Sequence, residues 1–556
     1  MLSRAVNKKL LVKHHPAIQA AFCFKSELKE PKNHPVYQAR LKSTDGSSHQ
    51  TSDYLKYGLA AVGLAISGSL LKLYIDGQNS PVECAKKAQN VFSRDEVSKR
   101  KTKQDGIWVI YDNNVYDITD FVEGHPGGAT KIMLAAGDNL EPYWDMYAFH
   151  KKGEVLEMLK EYYIGKLRKE DWVVARKTEG PFANDPKRHP ALLANSKEPF
   201  NGETPSVLAN DNLITPNDLF FVRNHLPVPD LKGEDCRLKI EGTSKCITLD
   251  LNELKSKFEK VEIISAIQCA GNRRSEMNKI KKVKGLSWSH NAISNAKWGG
   301  VLLRDLLLAA GIDPNDKTLK HVHFEGADKD VSGSCYGASI PINRVFAKHL
   351  PILVAYEMND EPLPRDHGFP LRIVAPGIVG ARNVKWLERI AVSPDEYQGH
   401  WQQNDYKPFS SNVDWDTVDF SKSVAIQELP VTSAICYPTD GAEVDQAEEE
   451  LTVKGYAYSG GGRGILRVDV SVDDGKSWIT AELNRSEQDL DSTYSWTLWE
   501  CTVLIPEGHK GKMNIMCRAV DSSCNTQPDT VAPVWNLRGC LNNSWHNVEL
   551  KVTDSE

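Results

Sequence analysis

The chain has 556 residues, 40% of them apolar and 26% charged, which is the composition of a soluble globular protein long enough for three or four domains. A formal net charge of −6, without a basic stripe interleaved with aromatic residues, argues against a nucleic-acid binder. The eleven cysteines are scattered and include no C-x-x-C pair, so neither a disulfide scaffold nor a zinc ribbon is predicted.

The N-terminal segment has the composition of a mitochondrial transit peptide. Its first 26 residues carry five basic side chains and no Asp or Glu. An uncharged run of 15 residues follows at 57–71, shorter than the roughly 20 residues of a comfortable membrane span. We interpret residues 1–80 as a presequence with an apolar sorting segment, which predicts release into the mitochondrial intermembrane space. An anchor retained at 57–75 is the alternative.

A histidine motif follows in the segment FVEGHPGGATKIMLAAG. A proline and two glycines come directly after His125, and a second histidine, His150, lies 25 residues further along the chain. Glycines allow the backbone to approach a flat macrocycle, and two imidazoles can fill both axial positions of one haem iron. An iron with both positions filled favours one-electron transfer over oxygen binding. His125 and His150 are therefore predicted haem ligands; a turn with an incidental histidine is the alternative.

The residues around this motif resemble the cytochrome b5 fold. Ser93 and Glu96 form a capping box that opens a helix, and IWVIYDNNVYDI predicts a hairpin around Asn113-Asn114. The resemblance implies a domain with haem b over residues 88–168. Within 90–166, ten Lys and Arg stand against thirteen Asp and Glu, and the resulting net charge of −3 suits docking to a basic partner.

The rest of the chain divides into a linker and two further domains. Residues 169–190 are polar and interrupted by prolines, which predicts a flexible linker. From 191 to 420, β-like runs such as CRLKIEGT mix with a helical pattern at 302–310, which predicts a mixed α+β domain. From 421 to 556 the pattern alternates, with a turn at Asp474-Gly475, and predicts an Ig-like β-sandwich. The predicted fold class is multidomain, α+β and all-β.

The segment SAIQCAGNRRSEM places Cys269 after a predicted strand, with Arg273 and Arg274 close behind it. A thiolate suits a soft or high-valent metal, and guanidinium groups attract an anionic substrate. A single cysteine is by itself more often a buried structural thiol. Together with FFVRNHLPVP, DHGFPLRIVAPG and WNLRG, however, the segment closely resembles the sulfite oxidase family of molybdenum enzymes.

This resemblance extends from about residue 90 to 552 and implies a molybdenum–molybdopterin cofactor whose one protein ligand is Cys269. It implies an oxyanion pocket lined by Arg223, Arg274, Trp288, Tyr406 and Arg538. It also implies that the pterin and its phosphate are held by Phe221, Val222, Arg223, Asn224, His225, Asp328, His367, Arg372, Asn383, Val384 and Lys385. Guanidinium forks bind a small oxyanion through paired hydrogen bonds and keep their charge at any working pH.

The implied activity is oxidation of sulfite to sulfate, with electrons passed through the bis-histidine haem to cytochrome c, in a homodimer formed by the C-terminal domain. One alternative is a molybdenum nitrate reductase, against which the domain order argues because that family places its haem domain after the molybdenum domain. The other is a haem electron carrier with an inactive molybdenum domain, which metal analysis would distinguish. Asn547 departs from the basic residue that the family often carries there.

Overall fold

The computed structural model describes residues 90–126, 128–146, 150, 153–172, 181–243, 245–330, 332–506 and 508–553. The predicted presequence and its apolar segment lie outside the described residues, as does part of the predicted linker. Among the described residues, no helix is both long and apolar enough to cross a bilayer.

The first domain contains, within the described residues, one sheet and four short α-helices. The strands are β1 (Val91–Phe92), β2 (Lys101–Thr102), β3 (Gly106–Tyr111), β4 (Asn114–Asp117) and β5 (Tyr163–Leu167). The helices are α1 (Arg94–Ser98), α2 (Ala129–Ile132), α3 (Glu141–Met146) and α4 (Gly153–Lys160). The strand order in the sheet is β1-β5-β4-β3-β2.

Two local predictions for this domain are confirmed. The capping box at the start of α1 is present, with the Glu96 amide donating to the Ser93 hydroxyl and the Ser93 amide donating to the Glu96 carboxylate. Strands β3 and β4 form the predicted hairpin, but its turn residues are Asp112 and Asn113, one residue earlier than expected. Both have positive φ, of 46° and 58°, a conformation that Asp and Asn tolerate better than other L residues.

The second domain is mixed α+β, as predicted. Its strands are β6 (Leu193–Lys197), β7 (Phe200–Glu203), β8 (Val222–Arg223), β9 (Leu238–Glu241), β10 (Cys246–Leu249), β11 (Val261–Gln268), β12 (Ile293–Leu302), β13 (His321–Lys329), β14 (Cys335–Pro341), β15 (Leu353–Met358), β16 (Glu361–Pro362), β17 (Arg372–Val374) and β18 (Leu387–Ser393). Its α-helices are α5 (Ser206–Ala209), α6 (Leu251–Lys257), α7 (Arg274–Ile280), α8 (Leu303–Ala309), α9 (Ile342–Val345) and α10 (His400–Gln403).

These strands form three sheets. Their strand orders are β6-β7-β8, β10-β9-β18-β13-β14 and β11-β12-β15-β16, with β17 pairing to β15 in the last. The predicted helix at 302–310 is α8, which buries Leu303, Leu306 and Leu307 because this spacing places them on one face. That face packs in the main core against strand residues such as Phe324.

The third domain is the predicted β-sandwich. Its strands are β19 (Thr432–Tyr437), β20 (Glu443–Asp445), β21 (Glu450–Tyr458), β22 (Ile465–Ser471), β23 (Ile479–Thr480), β24 (Glu482–Asn484), β25 (Thr497–Leu504), β26 (Gly511–Asp521) and β27 (His546–Thr553). One sheet has the order β19-β21-β25-β24 and the other β20-β27-β26-β22-β23. Buried and exposed residues alternate along β27, so its buried side faces the core between the sheets. Asn547 lies on the exposed side of this strand.

Candidate active site and haem site

Two imidazoles face each other in the first domain. The ring centroids of His125 and His150 are 6.2 Å apart, and their planes differ by 10°. Because imidazole nitrogens bind metal ions at about 2.0–2.1 Å, this separation leaves room for one metal ion between the rings. The His125 Nδ1 is 3.1 Å from the Gly128 carbonyl, which orients the ring and leaves Nε2 for a metal. Burial lowers the pKa of His125 and so favours the neutral ring that a metal ligand requires.

The surroundings of these histidines fit a haem. The ring of Phe121 lies 6.0 Å from His125, and the ring of Trp144 lies 5.6 Å from His150, so aromatic groups stand beside both imidazoles. Gly128 has a φ of +88°, which L side chains rarely adopt, and a Cβ there would meet no atom within 4 Å. Glycine is therefore required here by the positive φ of the backbone, and not by a neighbouring atom of the chain that a Cβ would meet.

A cavity in the second domain gathers most of the predicted active-site residues. Its empty volume is about 650 Å³, including its open mouth. Ten predicted residues line it: Phe221, Arg223, His225, Cys269, Asp328, His367, Arg372, Asn383, Lys385 and Tyr406. Six residues that the sequence analysis missed also line it: Phe220, Ile267, Tyr336, Gly380, Ala381 and Trp386. Side chains separated by up to 186 positions thus converge on one space.

Cys269 lies directly after the last residue of β11 and is 6% exposed. Its amide donates to the Ala292 carbonyl at 2.9 Å, which joins the loop to the residue before β12. The Gly271 amide points to the Cys269 Sγ at 3.4 Å. A Cβ on Gly271 would lie 2.6 Å from a nitrogen of the Arg274 guanidinium, so a larger residue there would displace the Arg274 side chain from its present position.

The two arginines after Cys269 have different positions. Arg273 is fully buried and binds the Glu276 carboxylate through two hydrogen bonds of 2.7 Å. It also donates to the Ser544 carbonyl at 2.6 Å and so ties the loop to the third domain. Arg274 donates to the Gly539 carbonyl at 2.9 Å. Arg273 is therefore a structural residue of this loop.

Three of the five predicted oxyanion residues lie beside the cavity and do not line it. Trp288 is fully buried in the apolar cluster that contains Cys269, and its indole nitrogen has no hydrogen-bond partner among the described residues. Arg538 is paired with the carboxylate of Asp405. Burial raises the pKa of the Cys540 thiol, which Arg274, Arg538 and Cys269 all influence. Arg274 and Arg538 lower the pKa of this thiol, whereas Cys269 raises it, so all three side chains lie near Cys540.

The other two oxyanion residues, Arg223 and Tyr406, meet inside the cavity. The Tyr406 hydroxyl and the His225 Nε2 share a hydrogen bond of 2.6 Å. Burial raises the pKa of Tyr406 to about 12 and lowers that of His225 well below its usual value, so both groups are neutral. Arg223 Nη1 donates to the Asn201 Oδ1 at 2.9 Å. Burial opposes the charge of Arg223, but Tyr406 and Cys269 outweigh it and raise its pKa.

Two further basic side chains, Arg372 and Lys385, line the same cavity. Burial lowers the pKa of Arg372 to about 9 and that of Lys385 to about 7. Arg372 donates to the His367 carbonyl at 2.8 Å, and Lys385 donates to the Asp366 carbonyl at 2.7 Å. The Asp366 carboxylate is already bound by Arg188, at 2.7 and 2.9 Å. Two buried cations therefore bind carbonyls here, an arrangement that an anionic group such as a phosphate would stabilise.

One carboxylate oxygen in the cavity wall is buried without a hydrogen-bond partner among the described residues. The atom is Oδ1 of Asp328, and burial raises the pKa of this side chain to about 7. Such an atom suits an N–H or O–H group of a bound heterocycle, since buried polar atoms are nearly always hydrogen-bonded. Together with the buried cations and Cys269, the donor set fits a phosphate-bearing pterin with a thiolate-ligated metal.

The remaining predicted residues lie next to the cavity. Val222 and Val384 are buried in the core, and the Asn224 side chain donates to the Asp366 carboxylate at 2.9 Å. Among the missed residues, Tyr336 donates to the Ala381 carbonyl at 2.8 Å. Tyr336 stands in the buried strand β14, and no sequence signal separates it from an ordinary core residue.

A second missed group is adjacent to a predicted motif. Arg382 is fully buried and donates to the Ile426 carbonyl at 3.1 Å, although burial lowers its pKa. The Lys385 ammonium lies 4.3 Å from the centre of the Trp386 ring. Both residues flank Asn383 to Lys385, so extending that motif by one residue on each side would have included them.

Three protein families match consecutive parts of the chain. "Cytochrome b5-like Heme/Steroid binding domain" matches residues 93–168, "Oxidoreductase molybdopterin binding domain" matches 225–401, and "Mo-co oxidoreductase dimerisation domain" matches 423–553. The fold and the sites therefore define a molybdopterin- and haem-binding oxidoreductase, and the two predicted cofactors are confirmed at the level of these families.

Individual relatives specify the family. "Sulfite oxidase, mitochondrial" of Homo sapiens is 49% identical over 496 residues, covering 88% of this chain and 90% of that protein. "Nitrate reductase [NADH] 2" of Phaseolus vulgaris is 37% identical over 371 residues, covering 64% of this chain and 41% of that protein. The structure of the sulfane dehydrogenase SoxCD from Paracoccus pantotrophus superposes with a TM-score of 0.53 at 26% identity, covering 68% of this chain and 87% of that one. The chain belongs to the sulfite oxidase family.

Proposed function

We propose that this protein oxidises sulfite to sulfate in its second domain and passes the electrons singly through the haem of its first domain to cytochrome c. The observation that carries the proposal is the cavity in which Cys269 and Tyr406 stand with an excess of buried cations. Family membership supports sulfite as the substrate. The net charge of −3 over residues 90–166 supports a basic protein as the electron acceptor.

The molybdenum cofactor, when bound, supplies the two-electron oxidation and the oxygen transfer, and Cys269 is proposed as its protein ligand. Arg223, fixed by Asn201, offers a permanent positive charge to the sulfite anion. Tyr406, held in place by its hydrogen bond to His225, offers a neutral hydroxyl to the same anion. These preorganised groups stabilise charge that develops on the oxygens of the substrate.

We propose that Arg372 and Lys385 bind the phosphate of the cofactor. A phosphate dianion restores the positive charge that burial disfavours on both side chains, whose pKa values are lowered to about 9 and about 7. Asp328 is proposed to bind the pterin heterocycle through its unpartnered oxygen. Arg274, Trp288 and Arg538 are proposed to complete the oxyanion pocket from the side behind Cys269.

The assembly and location are proposed on separate grounds. The match of residues 423–553 to a dimerisation domain supports a homodimer formed by the β-sandwich, proposed to span 421–556. The basic, acid-free composition of the first 26 residues supports import into the mitochondrion. The short apolar run at 57–71 supports sorting to the intermembrane space and cleavage soon after Leu73, within the proposed presequence region 1–80.

Two observations separate this function from a nitrate reductase. The bean relative shares 41% of its length with this chain, whereas the human relative shares 90% of its own. The haem domain also precedes the molybdopterin domain here. An inactive second domain is disfavoured because the thiol of Cys269 and the cations face one cavity.

Replacing His125 by Ala should abolish cytochrome c reduction and preserve sulfite-dependent reduction of a small acceptor that reaches the molybdenum centre directly. Loss of one axial nitrogen removes the haem relay, whereas the cavity of the second domain is unchanged. Steady-state assays with both acceptors and the haem absorption spectrum measure this. His509→Ala, at a half-buried histidine of the third domain, is the matched control and should keep both activities. Loss of both activities in the His125 variant would contradict a two-site route.

Deleting residues 176–180 should slow cytochrome c reduction and preserve turnover with the small acceptor. We propose that residues 169–190 act as a tether, and a shorter tether restricts the reach of the first domain. The deletion spares Arg188, which binds Asp185 and Asp366 and so anchors the C-terminal end of the tether. Replacing 176–180 with five Gly and Ser residues is the length-matched control. Equal cytochrome c rates in the deletion and the control would contradict the tether.

A further inference from the structure

Among the described residues, the first domain touches the second domain through a small set of side chains, called the docking face below. On the first domain these residues are Lys131, Leu134 and Tyr143. On the other side they are His189, at the end of the linker, and Ala191, Leu208, Asp211 and Leu219 of the second domain. All lie within the single unit Phe92–Glu556.

A charged pair stands in this face. The Lys131 ammonium lies 2.6 and 2.7 Å from the two carboxylate oxygens of Asp211. The two side chains are 31% and 21% exposed, so the pair is partly removed from water and less screened by salt than a pair on open surface. Lys99 and Asp95, in contrast, form a pair within α1 whose side chains are 70% and 74% exposed.

An apolar patch accompanies the charged pair. Leu134 and Tyr143 pack against a cluster that includes the buried Leu208 and Leu219. The Tyr143 hydroxyl donates to the Leu134 carbonyl at 2.8 Å and so holds the two contact residues together. The Tyr143 ring also stands at 88° to the His189 ring, with centroids 5.2 Å apart. Because few residues take part within the described ranges, this contact is of the kind that forms and releases reversibly.

The docking face is connected to both cofactor sites. On the first domain, Lys131 lies in α2, which begins one residue after Gly128, whose carbonyl holds the haem ligand His125. On the second domain, α5 contains Leu208 and also Ser206, whose hydroxyl accepts from the Asn291 side chain at 2.9 Å. The next residue, Ala292, accepts the amide of Cys269 at 2.9 Å.

We propose that the docking face is the surface on which the haem domain receives electrons from the molybdenum site, with Lys131 and Asp211 fixing the orientation. The inference rests on the proposed function and adds where the two domains meet during internal electron transfer. The pair and the apolar patch bring the α2 segment, next to His125, against α5, which is hydrogen-bonded toward Cys269. A face this small also releases the haem domain for its external acceptor.

Charge reversal tests the docking face in the holoenzyme. The variants are Lys131→Glu, Asp211→Lys and the double variant that exchanges the two charges. Anaerobic stopped-flow mixing with sulfite measures haem reduction, and each single variant should slow it at least about fivefold because like charges then face each other. The double variant should recover most of the wild-type rate. Lys99→Glu makes the same charge change on the same domain and should leave the rate unchanged.

Two further measurements separate an effect on docking from an effect on the catalytic cavity. Sulfite turnover with a small direct acceptor should be unchanged in all four variants, since none of the substituted residues lines the cavity. Solution X-ray scattering should show a more extended molecule in each single variant and a return toward the wild-type dimensions in the double variant.

Unchanged scattering and unchanged haem reduction in the single variants would overturn the docking face. Altered scattering with normal haem reduction would overturn its role in electron transfer. If the wild type failed to reduce its haem with sulfite, the proposed function would be wrong, whereas scattering would still decide whether the face exists.

Discussion

Replacing Cys269 by Ser is expected to lower sulfite oxidation by at least about 100-fold, more than the loss of a group that only orients a metal ligand usually costs. A serine hydroxyl is a hard, poorly ionised group, whereas the thiolate that it replaces suits a soft or high-valent metal. The two side chains are nearly the same size, and Cys269 is only 6% exposed, so the cavity should keep its shape. The haem spectrum should be unchanged because its ligands belong to another domain.

The measurement is sulfite-dependent reduction of both acceptors, with molybdenum content determined on the same samples. Cys236→Ser is the matched control, because Cys236 is also a buried thiol of the second domain but packs in its main core. That variant should retain activity, with some loss of stability from the buried hydroxyl. Near wild-type turnover in a metal-loaded Cys269→Ser protein would disprove the assignment of Cys269 as the metal ligand.

Replacing Arg223 by Gln is expected to raise the KM for sulfite by roughly 10- to 100-fold, since a hydrogen bond to a charged group contributes about 1.5–3 kcal/mol. Glutamine keeps a hydrogen-bonding amide near Asn201 but removes the fixed positive charge beside Tyr406. The effect should fall on substrate binding more than on folding. Inhibition by sulfate, the product, should weaken in parallel, because sulfate is an anion of similar shape.

Steady-state kinetics over a range of sulfite and sulfate concentrations measure both effects. Arg223→Lys, which retains a charge without the planar fork, should fall between the wild type and the Gln variant. Arg389→Gln is the matched control, since Arg389 binds Glu241 and Glu325 away from the cavity. An unchanged KM for sulfite in the Arg223→Gln protein would place this residue outside the substrate pocket.

The sequence by itself determined the local elements and the classes of cofactor. Alternating and helical patterns predicted the hairpin of β3 and β4, the helix α8 and the β-sandwich, because such periodicities record which side of an element is buried. The turn of this hairpin lies at Asp112 and Asn113, one residue earlier than predicted. The sequence did not distinguish the two positions because Asp and Asn both tolerate a positive φ. The motif around His125 indicated haem because two imidazoles can fill both axial positions of one iron. Molybdopterin followed only from the resemblance of the segments around Cys269 to the sulfite oxidase family.

Only the tertiary structure decided which side chains act together. Arg273 and Arg274 are neighbours in sequence and both bind carbonyls of the third domain, yet only Arg273 pairs with Glu276, whereas Arg274 packs against the loop of Cys269. The hydrogen bond between His225 and Tyr406 joins residues 181 positions apart. Tyr336 lines the cavity, although no motif in the sequence distinguishes it from an ordinary core residue.

The docking face likewise depends on tertiary contact. It requires α2 to meet α5 and Lys131 to meet Asp211, 80 positions away. A local pattern records whether a residue is buried, but not which distant residue it contacts. Which distant residues come into contact is determined only when whole domains pack together. The sequence therefore predicted the chemistry of each site, whereas the packing determined which side chains meet there and in what geometry.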